Sequence, residues 1–295
     1  MKKKFYGIVA IAATVLIFLA WSKHSLAGKK ENNKDYSKTV AGISSDWKLG
    51  VQLWTFRMFT ITEALQKVDS CRIKYVEAFW GQALDKDSKD AFGIGMSQAG
   101  RDKLKTLLKS YHIKMVAMGV IAPATKEEWI AAFKLAKEFD LSYITAEPGK
   151  NMWGMVDSLA GAYAIKIAIH DHPKPNAYSS PDSVIAAMQG HSHIGSCADV
   201  GHWARNGLDP VECLKKLEGH IYGVHLKDIV EFNNPHAADT VVGKGVIQFA
   251  PIFAELKRQN FKGMLSIEHE SNWYHSVPDV IATAKLYNDE AGKLK

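Results

Sequence analysis

Five short stretches, ITAEP, IAIHDHP, CADVGHW, VHLKD and LSIEHE, each end an apolar run of strand length in a carboxylate or an imidazole. Glu147 closes the first, His170 and His172 the second, Asp199 and His202 the third, His225 the fourth, and Glu268 and Glu270 the fifth. Imidazole nitrogen with carboxylate oxygen is a donor set that suits zinc, manganese, iron or cobalt better than calcium. A single histidine after a strand is more often a hydrogen-bonded core or loop residue. Five successive strand ends of this kind point instead to a shared metal site. Asp199 and His225 lie one helix and one strand apart, and Glu268 comes from the strand after that. A cation held by these three keeps open positions for substrate oxygens, as a catalytic site requires. Taken singly, Asp199 could cap the helix that follows it and Glu268 could pair with Lys227. His170 and His172 are two apart, as are Glu268 and Glu270, so on extended chain each pair faces one side.

Such residues can meet only if the elements bearing them converge. Eight runs read as strands: KLGVQLW, YVEAF, KMVAMGVI, YITAE, KIAIH, HIGSCAD, YGVHLKD and GMLSIE. Between them lie helical patterns with apolar residues three and four apart, such as Ala64-Leu65-Val68, Leu104-Leu107-Leu108 and Ile252-Phe253-Leu256. Strict alternation with continuously apolar strands calls for a parallel sheet covered by helices. Eight repeats favour closure into a (β/α)8 TIM barrel, whose C-terminal strand ends share one rim. The expected organisation is an α/β chain with a signal peptide over 1–27, a flexible linker over 28–46 and a single barrel domain over 47–292. Two long connections, about 80–96 and 229–247, should shape the pocket. The VVGKGVI segment in the second lacks the strand and helix of a nucleotide loop and reads as a turn.

The N-terminus has Lys2 to Lys4, an apolar run from Phe5 to Trp21, and Ser25-Leu26-Ala27, the pattern of a secretory signal. Export to the periplasm is expected, with no stable membrane association once the signal is cleaved; an uncleaved anchor is the other reading of the run. The formal net charge is +6. Eight lysines against Glu31, Asp35 and Asp46 put +5 of it in residues 1–46. The folded part is therefore close to neutral, which argues against nucleic acid as a partner. Cys71, Cys197 and Cys213 sit in apolar patterns that suit buried thiols rather than a disulfide framework.

The order of these motifs, with VHLKD, the VGKG turn and the closing IEHE, resembles the xylose isomerase-like TIM-barrel superfamily of sugar isomerases and epimerases over about 47–290. The resemblance implies a ligand set of Glu, Asp, His and Glu from successive strands, in which Asp199, His225 and Glu268 match the last three. At the first position this chain has His170. Either His170 itself ligates, or Glu147 on the preceding strand supplies the missing carboxylate. The implied cofactor is a divalent metal (Mn, Co, Zn, Fe or Mg). The implied chemistry is removal of a proton next to a sugar carbonyl through a metal-stabilised enediolate. Glu147 and Glu268 would be the paired acid and base, while His202 and Lys227 would orient or polarise sugar oxygens. His172, Trp54, Trp203 and Glu270 would contact the substrate, a small sugar or keto-glycoside; Phe79, Trp80, Trp153 and Trp273 are further aromatic candidates at the rim.

Two reactions share that first step. Return of the proton gives isomerisation or epimerisation, and loss of a β-substituent gives elimination, as in the secreted 3-keto-glycoside lyases that this chain also resembles. Abasic-site endonucleases of the superfamily use extra histidines on early strands; here the second strand offers Glu77 and the third no histidine. A non-catalytic exported carbohydrate-binding barrel is the alternative of another class.

Overall fold

Capping chemistry starts the helices where the periodicity predicts them. Thr60 and Thr125 each form a complete capping box, with Glu63 and Glu128 respectively, and the Ser97 side chain accepts from the Gly100 amide. Prolines in the first turn open three more helices. The computed structural model describes residues 47–294, so the expected signal peptide and linker lie outside the described residues.

In chain order the elements are β1 (Lys48–Gln52), α1 (Ile61–Ser70), β2 (Tyr75–Ala78), α2 (Gln98–Ser110), β3 (Lys114–Ile121), α3 (Lys126–Glu138), β4 (Tyr143–Ala146), α4 (Trp153–Tyr163), β5 (Lys166–His170), α5 (Pro181–Met188) and β6 (Ile194–Asp199). They continue with α6 (Val200–Arg205), α7 (Pro210–Lys216), β7 (Ile221–Leu226), α8 (Phe249–Arg258), β8 (Met264–Ile267) and α9 (Val277–Ala291). Among the described residues the eight long strands close a barrel in the order β1-β8-β7-β6-β5-β4-β3-β2, every pairing parallel. This is a (β/α)8 barrel, with each of the eight predicted runs supplying one strand.

Helix faces bury Trp129, Phe133, Leu65, Leu104 and Phe253 against the outside of the sheet. Removing such large apolar surfaces from water is the main favourable term in holding the barrel closed. Register then fixes which side chains stand level at the rim: Asp199 pairs with His225, and Gln52 with Glu77. The long connections follow β2 and β7 as expected. In the second, Asp228–Ile229 pairs antiparallel with Asp239–Thr240.

The VVGKGVI turn has a definite task within that connection. It wraps around Asp228, whose carboxylate accepts from the backbone N–H groups of Gly243 (2.9 Å), Gly245 (2.9 Å), Ile247 (3.2 Å) and Ile229 (2.9 Å). Glycine is required at position 245, where a Cβ would overlap Asp228 Oδ1 and the Ile229 carbonyl oxygen. Among the described residues no helix is long and apolar enough to cross a membrane.

Candidate functional site

Asp199 ends β6 and begins α6, and its two oxygens have separate tasks. Oδ1 accepts from the His202 amide at 2.8 Å, capping α6. Oδ2 is fully buried without a hydrogen-bond partner. Around it stand Lys227 Nζ at 3.5 Å, His170 Nε2 at 3.7 Å, His202 Nε2 at 3.7 Å and His225 Nδ1 at 3.8 Å. Glu268, just past β8, completes the group, with Oε2 3.2 Å from His225 Nδ1 and 3.0 Å from Lys227 Nζ. The helix cap and the Glu268–Lys227 pair foreseen as structural roles thus both exist, beside an Asp199 oxygen left for other use.

The donor set fits a divalent cation. Donor atoms of His170, Asp199, His202 and Glu268 all lie within 4.8 Å of one another and all four residues are buried. His225 Nδ1 is 3.1 Å from His170 Nε2 as well. Ligands about 2.0–2.2 Å from a tetrahedral metal are roughly 3.3–3.6 Å apart. The gaps around Asp199 Oδ2 are of that order, too wide for good hydrogen bonds and too narrow for a water between each pair.

Glu147 occupies a different place. One of its oxygens makes a short hydrogen bond with His172 Nδ1, and the other accepts from Asn176 Nδ2 at 2.8 Å. His170 Nδ1 is 3.9 Å from it, on the opposite edge of the ring from the Asp199 cluster. Donor atoms of Glu147, His170 and His172 form a second group within 4.8 Å of one another, so His170 belongs to both groups and Glu147 to the second. Glu147 is not among the residues lining the cavity above the cluster, whereas His172, to which it is bonded, is.

Charge is divided sharply across this group. Burial works against the Asp199 carboxylate, but Lys227, His170 and His225 prevail and hold it well below the usual range. The same balance, led by Lys227 and His225, lowers Glu268. Lys227, though desolvated, is raised by Asp199, Glu268 and Glu270 and stays an ammonium. Burial and the Lys227 charge push His202 well below the ordinary imidazole value, leaving it neutral. Burial would depress His170 too, but Asp199 and Glu147 outweigh it and raise the ring to about 9. Desolvation likewise opposes the Glu147 carboxylate, and the nearby His170 ring and the bonds to His172 and Asn176 overcome that and lower it.

Above the cluster opens a cavity of about 360 Å³ lined by Gln52, Trp54, Phe79, Trp80, Gly119, Val120, His172, His202, Arg205, Glu268 and Glu270. Trp54, Phe79 and Trp80 form an aromatic wall, with Trp54 and Phe79 edge to face at 4.9 Å. Trp54 Nε1 donates to Glu270 Oε2 at 3.2 Å, and Glu270 Oε1 is closely paired with Lys227. Of the residues expected to contact substrate, Trp54, His172 and Glu270 line this space. Trp203 does not: α6 turns its indole into the core, where it is wholly buried, so its role is packing. Trp153 donates to Tyr178 Oη at 2.7 Å and Trp273 lies under the Arg57 guanidinium, both outside the cavity.

Several members of the site were not singled out from sequence. Gln52 donates to the carbonyl of Gly119, which also lines the cavity, at 3.1 Å, and a Cβ at 119 would overlap Thr145 on β4. Arg205 reaches His202 Nδ1 at 3.0 Å and is closely paired with Asp239. Glu77, noted only when weighing endonucleases, is buried inside the barrel against His225 Nε2 at 3.0 Å. A charged residue in the four-residue strand YVEA was the available signal for it, since buried carboxylates have partners.

A family model described as xylose isomerase-like TIM barrel matches residues 65–294. The inosose dehydratase of Clostridium botulinum (strain Alaska E43 / Type E3) is 32% identical over 129 residues, covering 39% of this chain and 43% of that enzyme. The inosose dehydratase of Geobacillus kaustophilus (strain HTA426) is 35% identical over 106 residues, 31% of this chain and 34% of that one. The chain thus spans less than half the length of the curated relatives it matches. Among solved structures, an uncharacterized protein from Parabacteroides distasonis ATCC 8503 is 34% identical with a TM-score of 0.67, covering 82% of this chain and 98% of that one. A D-tagatose 3-epimerase-like protein shares the fold at 18% identity, with a TM-score of 0.68 over 84% of this chain and 98% of its own.

Proposed function

The chain belongs to the xylose isomerase-like TIM-barrel family, whose relatives matched here include sugar-processing enzymes, and we propose that it is an exported, divalent-metal-dependent isomerase or epimerase of keto-sugars. The observation that carries this reading is the placing of proton-transfer groups on both sides of one cavity. Glu268 follows β8, while His172 and the Glu147 that backs it follow β5 and β4; β8 and β4 are diametrically opposed in the barrel. A group on either side can take a proton from a sugar carbon and return one to the same or the neighbouring carbon.

His170, Asp199, His225 and Glu268 would hold the cation, with His202 at its edge. Bound there, it would supply positive charge to offset the negative charge that grows on a carbonyl oxygen as the adjacent C–H ionises. His202, neutral and at the cavity edge, orients a sugar oxygen, and Lys227 fixes the Glu268 and Glu270 carboxylates from below. Trp54, Phe79 and Trp80 offer apolar surface to a sugar face.

The charges favour a neutral substrate. Lys227 is engaged by Glu268 and Glu270, Arg205 by Asp239, and Arg57 lies over the Trp54 and Trp273 rings. A sugar phosphate would have to draw Lys227 or Arg205 from its carboxylate partner, since Arg57 is not among the residues lining the cavity. A free or glycosidic keto-sugar would not.

A second reading, elimination from the same deprotonated intermediate, is favoured by the similarity to inosose dehydratases. One experiment serves both. Metal-replete protein and the Glu268→Gln variant are incubated in deuterium oxide with a panel of ketoses and 3-keto-glucosides, and products are followed by NMR. Deuterium entering next to the carbonyl with wild type and not with the variant is the expected result, and retention or loss of the β-substituent assigns the reaction. Absence of exchange across the panel would leave the non-catalytic carbohydrate-binding barrel as the better account.

A further inference from the structure

Glu77 is completely buried on β2 and takes no part in the chemistry outlined above. Its Oε2 accepts from His225 Nε2 at 3.0 Å and from Ser266 Oγ at 3.0 Å, so one carboxylate oxygen ties β2 to β7 and β8 through the barrel interior. The other edge of the same imidazole faces the cation-binding group: His225 Nδ1 is 3.1 Å from His170 Nε2, 3.2 Å from Glu268 Oε2 and 3.8 Å from Asp199 Oδ2. A carboxylate can only accept, so Nε2 carries hydrogen toward Glu77. Glu268 Oε2 calls for hydrogen on Nδ1 as well in the metal-free protein, and a cation taking the place of that second hydrogen would leave the ring with Nε2–H and its lone pair on Nδ1. Turning the ring over would present carbon to both neighbours and leave Glu77 Oε2 with the Ser266 bond alone.

We propose that Glu77 is the positioning residue of the metal site, holding His225 as the Nε2–H tautomer so that Nδ1 is the atom offered to the cation. Ser266 supports it by fixing the carboxylate oxygen that does the holding. The inference rests on the cation reading given under Proposed function and adds to it the identity of the ligand nitrogen. Carboxylate partners of this kind orient a metal-bound imidazole and make it a stronger donor, and their loss typically weakens metal binding by about 10–100-fold.

The test uses the full chain loaded with zinc. Long-range proton–nitrogen NMR of the wild type should show His225 protonated at Nε2 and zinc-bound at Nδ1; the reverse pattern overturns the proposal. Chelator competition should show Glu77→Ala binding zinc about 10–100-fold more weakly. Glu77→Gln, whose amide oxygen can still accept from Nε2–H, should recover most of that loss. Wild-type affinity in Glu77→Ala also overturns it. Should Glu77→Ala not fold, the wild-type spectrum and the Glu77→Gln titration still decide. A wild type that takes up no zinc refutes the cation reading itself, an outcome distinct from zinc bound through the other nitrogen.

Discussion

Replacing Lys227 by methionine should destabilise the metal-free protein severely and the metal-loaded protein measurably less. Lys227 is fully buried, 3.0 Å from Glu268 Oε2 and 3.5 Å from Asp199 Oδ2, with Glu270 closer still. At an effective dielectric near 20, each of the first two contacts is roughly 5 kcal/mol of attraction, of which the desolvation of the ammonium cancels a large part. Removing one partner of a buried pair typically costs about 3–5 kcal/mol. Here it strands three carboxylates, so the upper half of that range is expected. For a domain of this size that is a fall in Tm of about 8–20 °C. A divalent cation replaces the lost positive charge and no longer meets a like charge beside it, so the variant should bind metal at least as tightly as wild type. With metal at about 100 times its Kd, binding stabilises the folded state by about 2.7 kcal/mol. A tenfold tightening in the variant would add about 1.4 kcal/mol to its share. The assay is differential scanning fluorimetry of both proteins in chelator and across a manganese titration. An equal Tm deficit with and without metal, or weaker metal binding in the variant, would refute the picture of Lys227 and a cation acting on the same carboxylates.

Two further outcomes follow from the geometry. His170 is raised to about 9 in the folded, metal-free protein, so its protonated form contributes stability that is full below the unfolded value near 6.5 and is lost as pH rises through about 9. His225 is likewise raised well above the ordinary imidazole value, its burial outweighed by Glu77 and Glu268, so a cation held by both rings must displace a proton from each. Metal affinity should climb with pH, and calorimetry at pH 7.5 in buffers of differing ionisation enthalpy should report release of about two protons; buffer-independent heats would contradict it. Gly245→Ala should cost about 1–3 kcal/mol by forcing apart the turn and Asp228, read as a lower thermal midpoint, and an unchanged midpoint would show that the cage yields freely.

Strand ends were legible because a barrel writes them in order. An apolar run, a polar residue and a helical pattern recur, and Asp199, His225 and Glu268 each close such a run. What the chain did not disclose depends on which side of a strand a residue takes and on what a loop brings back. Glu77 reads as an interruption of YVEA until β7 and β8 are known to pass in front of it. Glu147 reads as a site carboxylate, and only the loop carrying Asn176 shows that both its oxygens are taken. Trp203 sits one residue past His202, but on a six-residue helix that single step turns it from the cavity to the core. Arg205 and Asp239 meet through a connection whose path no local pattern records.

The backbone cage around Asp228 bears on when the rim of the barrel becomes ordered. A long rim loop ordinarily samples many shapes and must surrender that freedom when a ligand arrives. This one is wound around an internal anion by four amide hydrogens before any ligand is present. The loop lines none of the cavity itself, but its Ala237 and Asp239 hold Arg205 and the Glu270 backbone, which do, so the conformational entropy lost in fixing that part of the wall is lost on folding rather than at capture.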